Sequence, residues 1–526
     1  MKKTQLPCAS LATLATPVTL FILTTLLASP GYLHAQIGYG PEVEKTFGQG
    51  LPRDRDTLLF SDDQYPDWPL TPEQSQYAAI SGERMKQQVI DLGAIALKYR
   101  DQGGHQWWGR LPGTSADRES MAYMTAVFED LGLTVERFPY VLPTDWRPRD
   151  WAASYTSSGG ASIQLNTAFP VAGTKATGAE AMEAEAIWVG VGAGADFLGR
   201  DVRGKAVVIY SAFVPGGRSH SASDRSNLFD ANTRALGQGA AMVINVMGVP
   251  GNGQFQPEGG IGEIPHFTLS MDEGFALRER LDSGEEVNIR FQLEVDLLEN
   301  LETAYTIATL PGMSEEEIVV MTHTDGYFQA ATDNAAGMAS ALEIARFFAA
   351  KPRSERPRTL RFIQFSDHHH GEVARGRPDI GINDAYRWDN VALKLTMEHP
   401  SQTLLYMYND SLSPTNALGA FRWNAMGSVA FEEMVFDTLR EFGVSVYAME
   451  DGPKNGNYAP SFHIIDHIIY HTSLDIPELV PASGLARSTR AFAAAIDRVN
   501  EMTMAQLRGA SWPPEDRRGR VTGTGN

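Results

Sequence analysis

Two runs, "EEIVVMTHTD" at 316–325 and "TLRFIQFSD" at 359–367, flank "NAAGMASALEIARFFAAK" at 334–351, and their reading decides the fold. The outer runs are short, β-branched and aromatic, and each ends in polar residues, which is the pattern of a buried strand. In the middle run Met338, Leu342, Ala345 and Phe348 recur at three- and four-residue spacing, which predicts a helix with one apolar face. Strand, helix and strand in succession predict an α/β sheet with helices on its faces.

The same texture continues outward. "VALKLTMEH" at 391–399 and "HIIDHIIYH" at 463–471 are two more apolar runs. Together these runs predict a mixed, mostly parallel sheet flanked by helices. Upstream, Met85, Val89, Leu92, Ile95 and Ala96 predict a helix from about Glu83, and "GTSADRESMAYMTAVFEDLG" at 113–132 predicts a second, with Ser115 as its cap and Gly132 as its stop. Between residues 150 and 300 the pattern differs. "AEAIWVG", "KAVVIYSA" and "AAMVINVMG" are short β-type runs, with Gly-rich turns and one helix-like stretch near Asn232–Gly239.

Composition narrows the function classes. The chain has 526 residues, 64 acidic against 44 basic and a formal net charge of -20, which argues against nucleic-acid and anionic-membrane partners. Lys2 and Lys3, the apolar run "LATLATPVTLFILTTLLAS" and Ala35 in "GYLHAQ" read as a signal peptide over residues 1–35, which implies a periplasmic or secreted protein with no stable membrane association after cleavage. The one cysteine, Cys8, lies in this segment, so the mature chain has neither disulfides nor thiol chemistry. Residues 36–150 read as a lead-in followed by the first helices. The Pro-, Arg- and Gly-rich residues 506–526 read as a disordered tail.

In an α/β sheet function gathers at the carboxyl ends of the strands. Here those ends carry His323 and Asp325, then His368, His369 and His370, then Glu398 and His399, then His471 with Asp475 behind it. Asp333 follows the first of them, just before a helix. His323 and Asp325, two residues apart, face one side of a strand, so Asp325 can orient the His323 imidazole. Imidazole and carboxylate without thiolate suit zinc or a similar divalent ion.

These motifs resemble the di-zinc exopeptidases of the aminopeptidase and glutamate-carboxypeptidase type. "HTD" at 323–325, "DNAAG" at 333–337, "SDHHHG" at 366–371, Glu398 and "YHTSLD" at 470–475 follow that family's order and spacing. The likeness spans about residues 80 to 505, with the catalytic domain at 300–505. "DVRGKAVVIY", "GQGAAMVINV" and "IPHFTLSMDEGFALRERL" resemble an inserted protease-associated domain, placed at 160–295. The resemblance implies the zinc exopeptidase fold, a peptide or small amide substrate, and one or two zinc ions. One ion takes His323, Asp333 and Glu398. The other takes Asp333 as a bridge, His369 and His471.

One motif departs from the family. His368 and His369 stand where its members have two adjacent glutamates, the general base and a metal ligand. His369 can ligate directly. His368 offers an imidazole, a side chain able to take a proton from the attacking water near neutral pH, although nearby dications weaken any imidazole as a base. Glu372 is a second candidate base. Exchanging a ligand carboxylate for imidazole leaves the site one unit more positive. Three readings stay open: an exported zinc exopeptidase-like hydrolase, a catalytically inactive binding protein on the peptidase fold, and a mononuclear zinc acyl transferase or cyclase.

Overall fold

The computed structural model describes residues 65–211, 213–214, 218–219, 231–257, 261–370, 388–408, 411–449, 459–465 and 468–509. The signal-peptide reading at 1–35, Cys8, Glu372 and the chain after 509 lie outside these residues.

Helix α1 (Gly82–Gly103) buries Met85, Val89, Leu92, Ile95 and Ala96, the residues whose spacing predicts it. The Ser81 hydroxyl caps it by accepting the Arg84 amide, and Gly104 ends it in the left-handed conformation at φ 61°. Helix α2 (Ser115–Asp130) starts at Ser115 but is capped by Thr114, whose hydroxyl accepts the Asp117 amide at 3.2 Å. The capping side chain belongs to the last residue with extended backbone, one position before the one expected.

The chain then runs through β1 (Thr134–Ser157), β2 (Gly178–Trp188), β3 (Ala206–Ser211), β4 (Met242–Met247), β5 (His266–Leu269), α3 (Met271–Asp282) and β6 (Val287–Leu310). Strands β2 to β5 lie parallel in sequence order. Their side chains alternate: Val208, Ile244 and Phe267 enter one core, and Val207, Ile209 and Val243 enter another. β1 and β6 form a long antiparallel ribbon, with Ser157 opposite Val287 at one end and Thr134 opposite Thr309 at the other.

The second half contributes β7 (Glu317–His323), α4 (Gly337–Ala349), β8 (Thr359–Phe365), β9 (Val391–Thr396), β10 (Phe421–Met426), α5 (Val429–Glu441), β11 (Val446–Met449), β12 (Ser461–Ile465) and α6 (Ala482–Asn500). β8, β7, β9 and β12 stand side by side and parallel. β6 joins β8 antiparallel, and β10 joins β12 antiparallel, which makes the sheet mixed. β6 also pairs with β2, so one sheet runs through both halves of the chain.

Period-two alternation covers both faces of the central strands. Ile318, Val320, Leu360 and Phe362 pack with the helical core, while Val319, Met321, Ile363 and Phe365 pack against Tyr140 and Ile307 of the ribbon. Each such side chain contributes about 1.5–3 kcal/mol of burial. Helix α4 is buried nearly all round, and its Glu343 is neutralised by Arg84 of α1 at 2.6 Å. Residues 506–509, counted with the tail on sequence grounds, are folded here. They close a short helix, Met504–Leu507, and Arg508 donates to the Val391 carbonyl at 2.8 Å. Among the described residues no helix is long and apolar enough to cross a membrane.

Parallel neighbours share one carboxyl edge, so β7, β8, β9 and β12 all open their ends toward the same side. α4 begins directly against that edge. A Cβ on Gly337 would fall 2.1 Å from Asn334 Oδ1 and 2.3 Å from the Met397 carbonyl oxygen. Gly337→Ala is therefore expected to destabilise the protein by about 1–3 kcal/mol through overpacking. Thermal unfolding should show a lowered midpoint, and an unchanged one would refute the close approach.

Candidate metal centre

The loop after β7 is fixed from below by a buried cation. Arg110 is fully buried and donates to the carbonyls of Thr324 at 3.0 Å, Gln329 at 2.7 Å and Ala330 at 3.0 Å. Burial lowers its pKa to about 10, against the opposing influence of Asp475, Asp333 and Asp325. Asp475 accepts the Thr332 and Asp333 amides at 2.7 and 3.0 Å, which holds the backbone of Asp333. The Asn334 amide group donates to Thr322 Oγ1 at 2.8 Å and to the Met397 carbonyl at 2.9 Å, tying this turn to the ends of β7 and β9.

Asp333 is the centre of the cluster. His323 Nε2 lies 3.2 Å from its Oδ1 and His399 Nε2 lies 3.1 Å from the same oxygen. His369 Nε2 and His471 Nε2 lie 3.4 and 3.3 Å from Oδ2. The approaches are close, yet His323 Nε2, His369 Nε2 and Asp333 Oδ2, all buried, make no hydrogen bond. Such convergence of buried lone pairs is costly without a cation. Among the described residues two groups have donor atoms close enough to share one ion: His323, His368 and His369, and Asp333, His369 and His471. The residues present therefore fit a divalent metal.

Asp325 organises the turn that follows β8. It accepts the amides of His368 at 3.2 Å and His369 at 2.9 Å, and its Oδ2 lies 3.1 Å from His369 Nδ1. Its carboxylate is 3.4 Å from His323 Nδ1, while the Asp325 backbone oxygen is nearer, at 3.0 Å. Asp325 thus reaches both imidazoles, and its stronger contacts are with the three-histidine turn. That turn is a single 3-10 turn, so the three rings fan out. His368 stacks on His323 with centroids 4.3 Å apart, and His370 lies between Asp325, 3.8 Å from its Nδ1, and Asp145, 3.9 Å from its Nε2.

Electrostatics follow from the crowding. Burial alone raises carboxyl pKa values and lowers those of imidazoles. Asp333 is nonetheless held well below the carboxylate range by His369 and His399, which outweigh its burial. Burial acts to lower the pKa of His369, but Asp325 and Asp333 carry it up to about 9. His323 is raised in the same way by Asp325 and Asp333 against its burial. The carboxylates call for positive charge beside them, which protons or a bound cation can supply.

His323, Asp333, His369 and His471, expected as ligands from sequence, are brought together. Glu398 falls outside both groups. Burial acts to raise its carboxyl pKa, and the charges of His368, then His323, His463 and His399, hold it at about 2, so it lies beside the cluster as an anion. His399, one residue on, points its Nε2 at Asp333 instead. Its backbone is left-handed at φ 46°, as is that of His471 at φ 54°, and such conformations cost on the order of 1–3 kcal/mol each. A one-residue choice of this kind depends on loop conformation, which periodicity does not carry. Arg110 was also missed, because a lone arginine in "GRLPG" has no sequence signal. Arg110→Met should leave three buried carbonyls without donors and lower stability by about 3–5 kcal/mol. Arg110→Lys should fall in between. Denaturant unfolding followed by tryptophan fluorescence tests this, and a wild-type midpoint for Arg110→Met would remove the arginine from the account.

Residues 306–368 match the model of Peptidase family M28. Among solved structures the chain is similar to the Peptidase M28 precursor from Shewanella amazonensis SB2B, at 17% identity over 86% of this chain and 100% of that one, with a TM-score of 0.59. It is also similar to BSAP, a zinc aminopeptidase from Bacillus subtilis, at 16% identity over 82% of this chain and 98% of that one, with a TM-score of 0.55. A third likeness is to an aminopeptidase from Aneurinibacillus sp. strain AM-1, at 17% identity over 86% and 97% of the two chains, with a TM-score of 0.51. No curated protein sequence matches. At these identities the structural likeness speaks for the fold, the zinc exopeptidase fold expected from the motifs. The family match covers the strand–helix–strand unit that supplies His323, Asp325 and Asp333. Over that segment the chain is similar to peptidase family M28, and over most of its length it shares the fold of a solved M28 member.

Proposed function

We propose that this protein is an exported zinc-dependent peptidase of the aminopeptidase type, in which His368 stands in for the family's glutamate base. The observation that carries the reading is the ring of imidazole nitrogens around Asp333, in which His323 Nε2, His369 Nε2 and Asp333 Oδ2 are left without hydrogen bonds. His323, Asp333, His369 and His471 would hold zinc, with Glu398 or His399 completing the set. Zinc, the metal named for the Bacillus subtilis aminopeptidase, would supply Lewis acidity and lower the pKa of a water at the site.

The chain's own residues then have separate tasks. Asp333 supplies negative charge to the centre. Asp325 orients the His369 ring through Nδ1 and fixes the turn that presents His368. His368 stacks on His323 at the edge of the cluster, and as a neutral imidazole it can accept a proton from the attacking water. A peptide or small amide is the substrate that suits this arrangement, and residues 160–295 are read as a protease-associated domain beside it. Export rests on the apolar run at 11–29.

A second reading, a peptidase scaffold kept for binding, draws on the absence of a carboxylate at positions 368 and 369. Metal content and hydrolysis of short peptides blocked at either end separate the two. His369→Ala should remove metal and activity together. His368→Ala should keep the metal and lose about 10²- to 10⁴-fold in rate, the usual worth of a general base. His370→Ala should change little. If His368→Glu raises hydrolysis from an undetectable wild-type level, the scaffold reading wins. If it lowers an existing rate, histidine is the working base. Less than a tenth of an equivalent of zinc after reconstitution, set against the ordinary expectation of about one ion per site, would end the metal reading.

A further inference from the structure

We propose that residues 252–257, in the connection between β4 and β5, form a strap that orients the His471 imidazole, so that this part of the chain is a positioning element of the metal centre. The inference rests on the reading of that centre given above. His471 Nδ1 lies 3.1 Å from the Gln256 carbonyl oxygen. A carbonyl only accepts, so Nδ1 carries the hydrogen and Nε2 presents its lone pair toward Asp333 Oδ2 at 3.3 Å. The Gln256 amide donates back to the His471 carbonyl at 3.0 Å.

The strap is bound on both sides. Toward His471, Phe255 forms an antiparallel bridge with Thr472, the Gln254 amide donates to Ser473 Oγ at 3.0 Å, and the Ser473 amide donates to the Gln254 carbonyl at 3.0 Å. Toward β5, Thr268 Oγ1 donates to the Phe255 carbonyl at 2.7 Å, and Ser270 Oγ donates to Asn252 Oδ1 at 3.2 Å. The Phe255 ring is buried among Met247, Val249, Ile469, Leu474 and Ile476, which come from both sides of the contact. His471 itself has left-handed backbone at φ 54°, a conformation that surrounding structure must impose. Partners of this kind fix which ring nitrogen is free to bind.

The test uses the full-length protein and zinc. Thr268→Val is nearly isosteric and removes the hydroxyl that ties Phe255 to β5. Ser473→Ala cuts the strap from the other side. Each should weaken zinc binding by about 10- to 100-fold in competition with a chelator, the usual effect of losing a ligand's supporting partner. Thr268→Ser should restore it. In metal-free protein labelled with ¹⁵N-histidine, the His471 resonance, assigned by its absence in His471→Gln, should report the Nδ1–H tautomer in wild type and a tautomer mixture in both variants. Wild-type zinc affinity in both variants, or an Nε2–H tautomer in the wild-type protein, would overturn the strap. If wild type takes up no zinc, the reading of the centre fails, and the tautomer measurement still decides for or against the strap.

Discussion

A single carboxylate, Asp333, sets the terms for everything around it. It is buried at the open edge of the sheet, with imidazole nitrogens of His323, His369, His399 and His471 between 3.1 and 3.4 Å from its oxygens. An anion in that position is tolerable only with positive charge beside it. The surrounding loops keep the rings aimed inward, and the inner nitrogens of His323 and His369 make no hydrogen bond. The framework therefore holds a place for a cation, and zinc chemistry is the simplest use of it.

What holds Asp333 is equally constrained. The Arg110 guanidinium beneath the loop is spread over three carbonyls, with Asp475, Asp333 and Asp325 providing its counter-charge at a distance. Asp475, from the far end of the chain, holds the amides of Thr332 and Asp333. Charges of both signs are thus buried in one region, and Arg110 and Asp475 are each satisfied by backbone groups of the loop after β7. Loss of one partner would strand several others, so these loops are expected to behave as a unit.

The central strands and α4 were legible because their apolar residues alternate or recur at helical spacing, and the strand ends because histidine and carboxylate gather there. The ribbon strand β1 was not. It carries Pro139, Pro143 and Pro148, and over much of its length it pairs only with β6, so it is an edge where prolines are tolerated and alternation is broken. That His399 points its imidazole at Asp333, while Glu398 lies beside the cluster, goes with one left-handed residue. Gln256 is hidden for a different reason: it acts through its backbone carbonyl on a residue 215 positions away. No side-chain pattern records such a contact.

The β1–β6 ribbon also bears on how this architecture can vary. The chain departs near Ser157 and returns at Val287, directly opposite, so everything between them is a loop closed by the antiparallel pairing of β1 with β6, which a register shift at Glu294 and Val295 interrupts. Closure entropy grows only slowly with loop length, by about 0.6 kcal/mol for each doubling. Segments of very different size can therefore be carried at this point without disturbing the sheet beyond it. Length costs little there, and what the metal centre requires of the inserted segment is only the few backbone atoms that reach back across the gap.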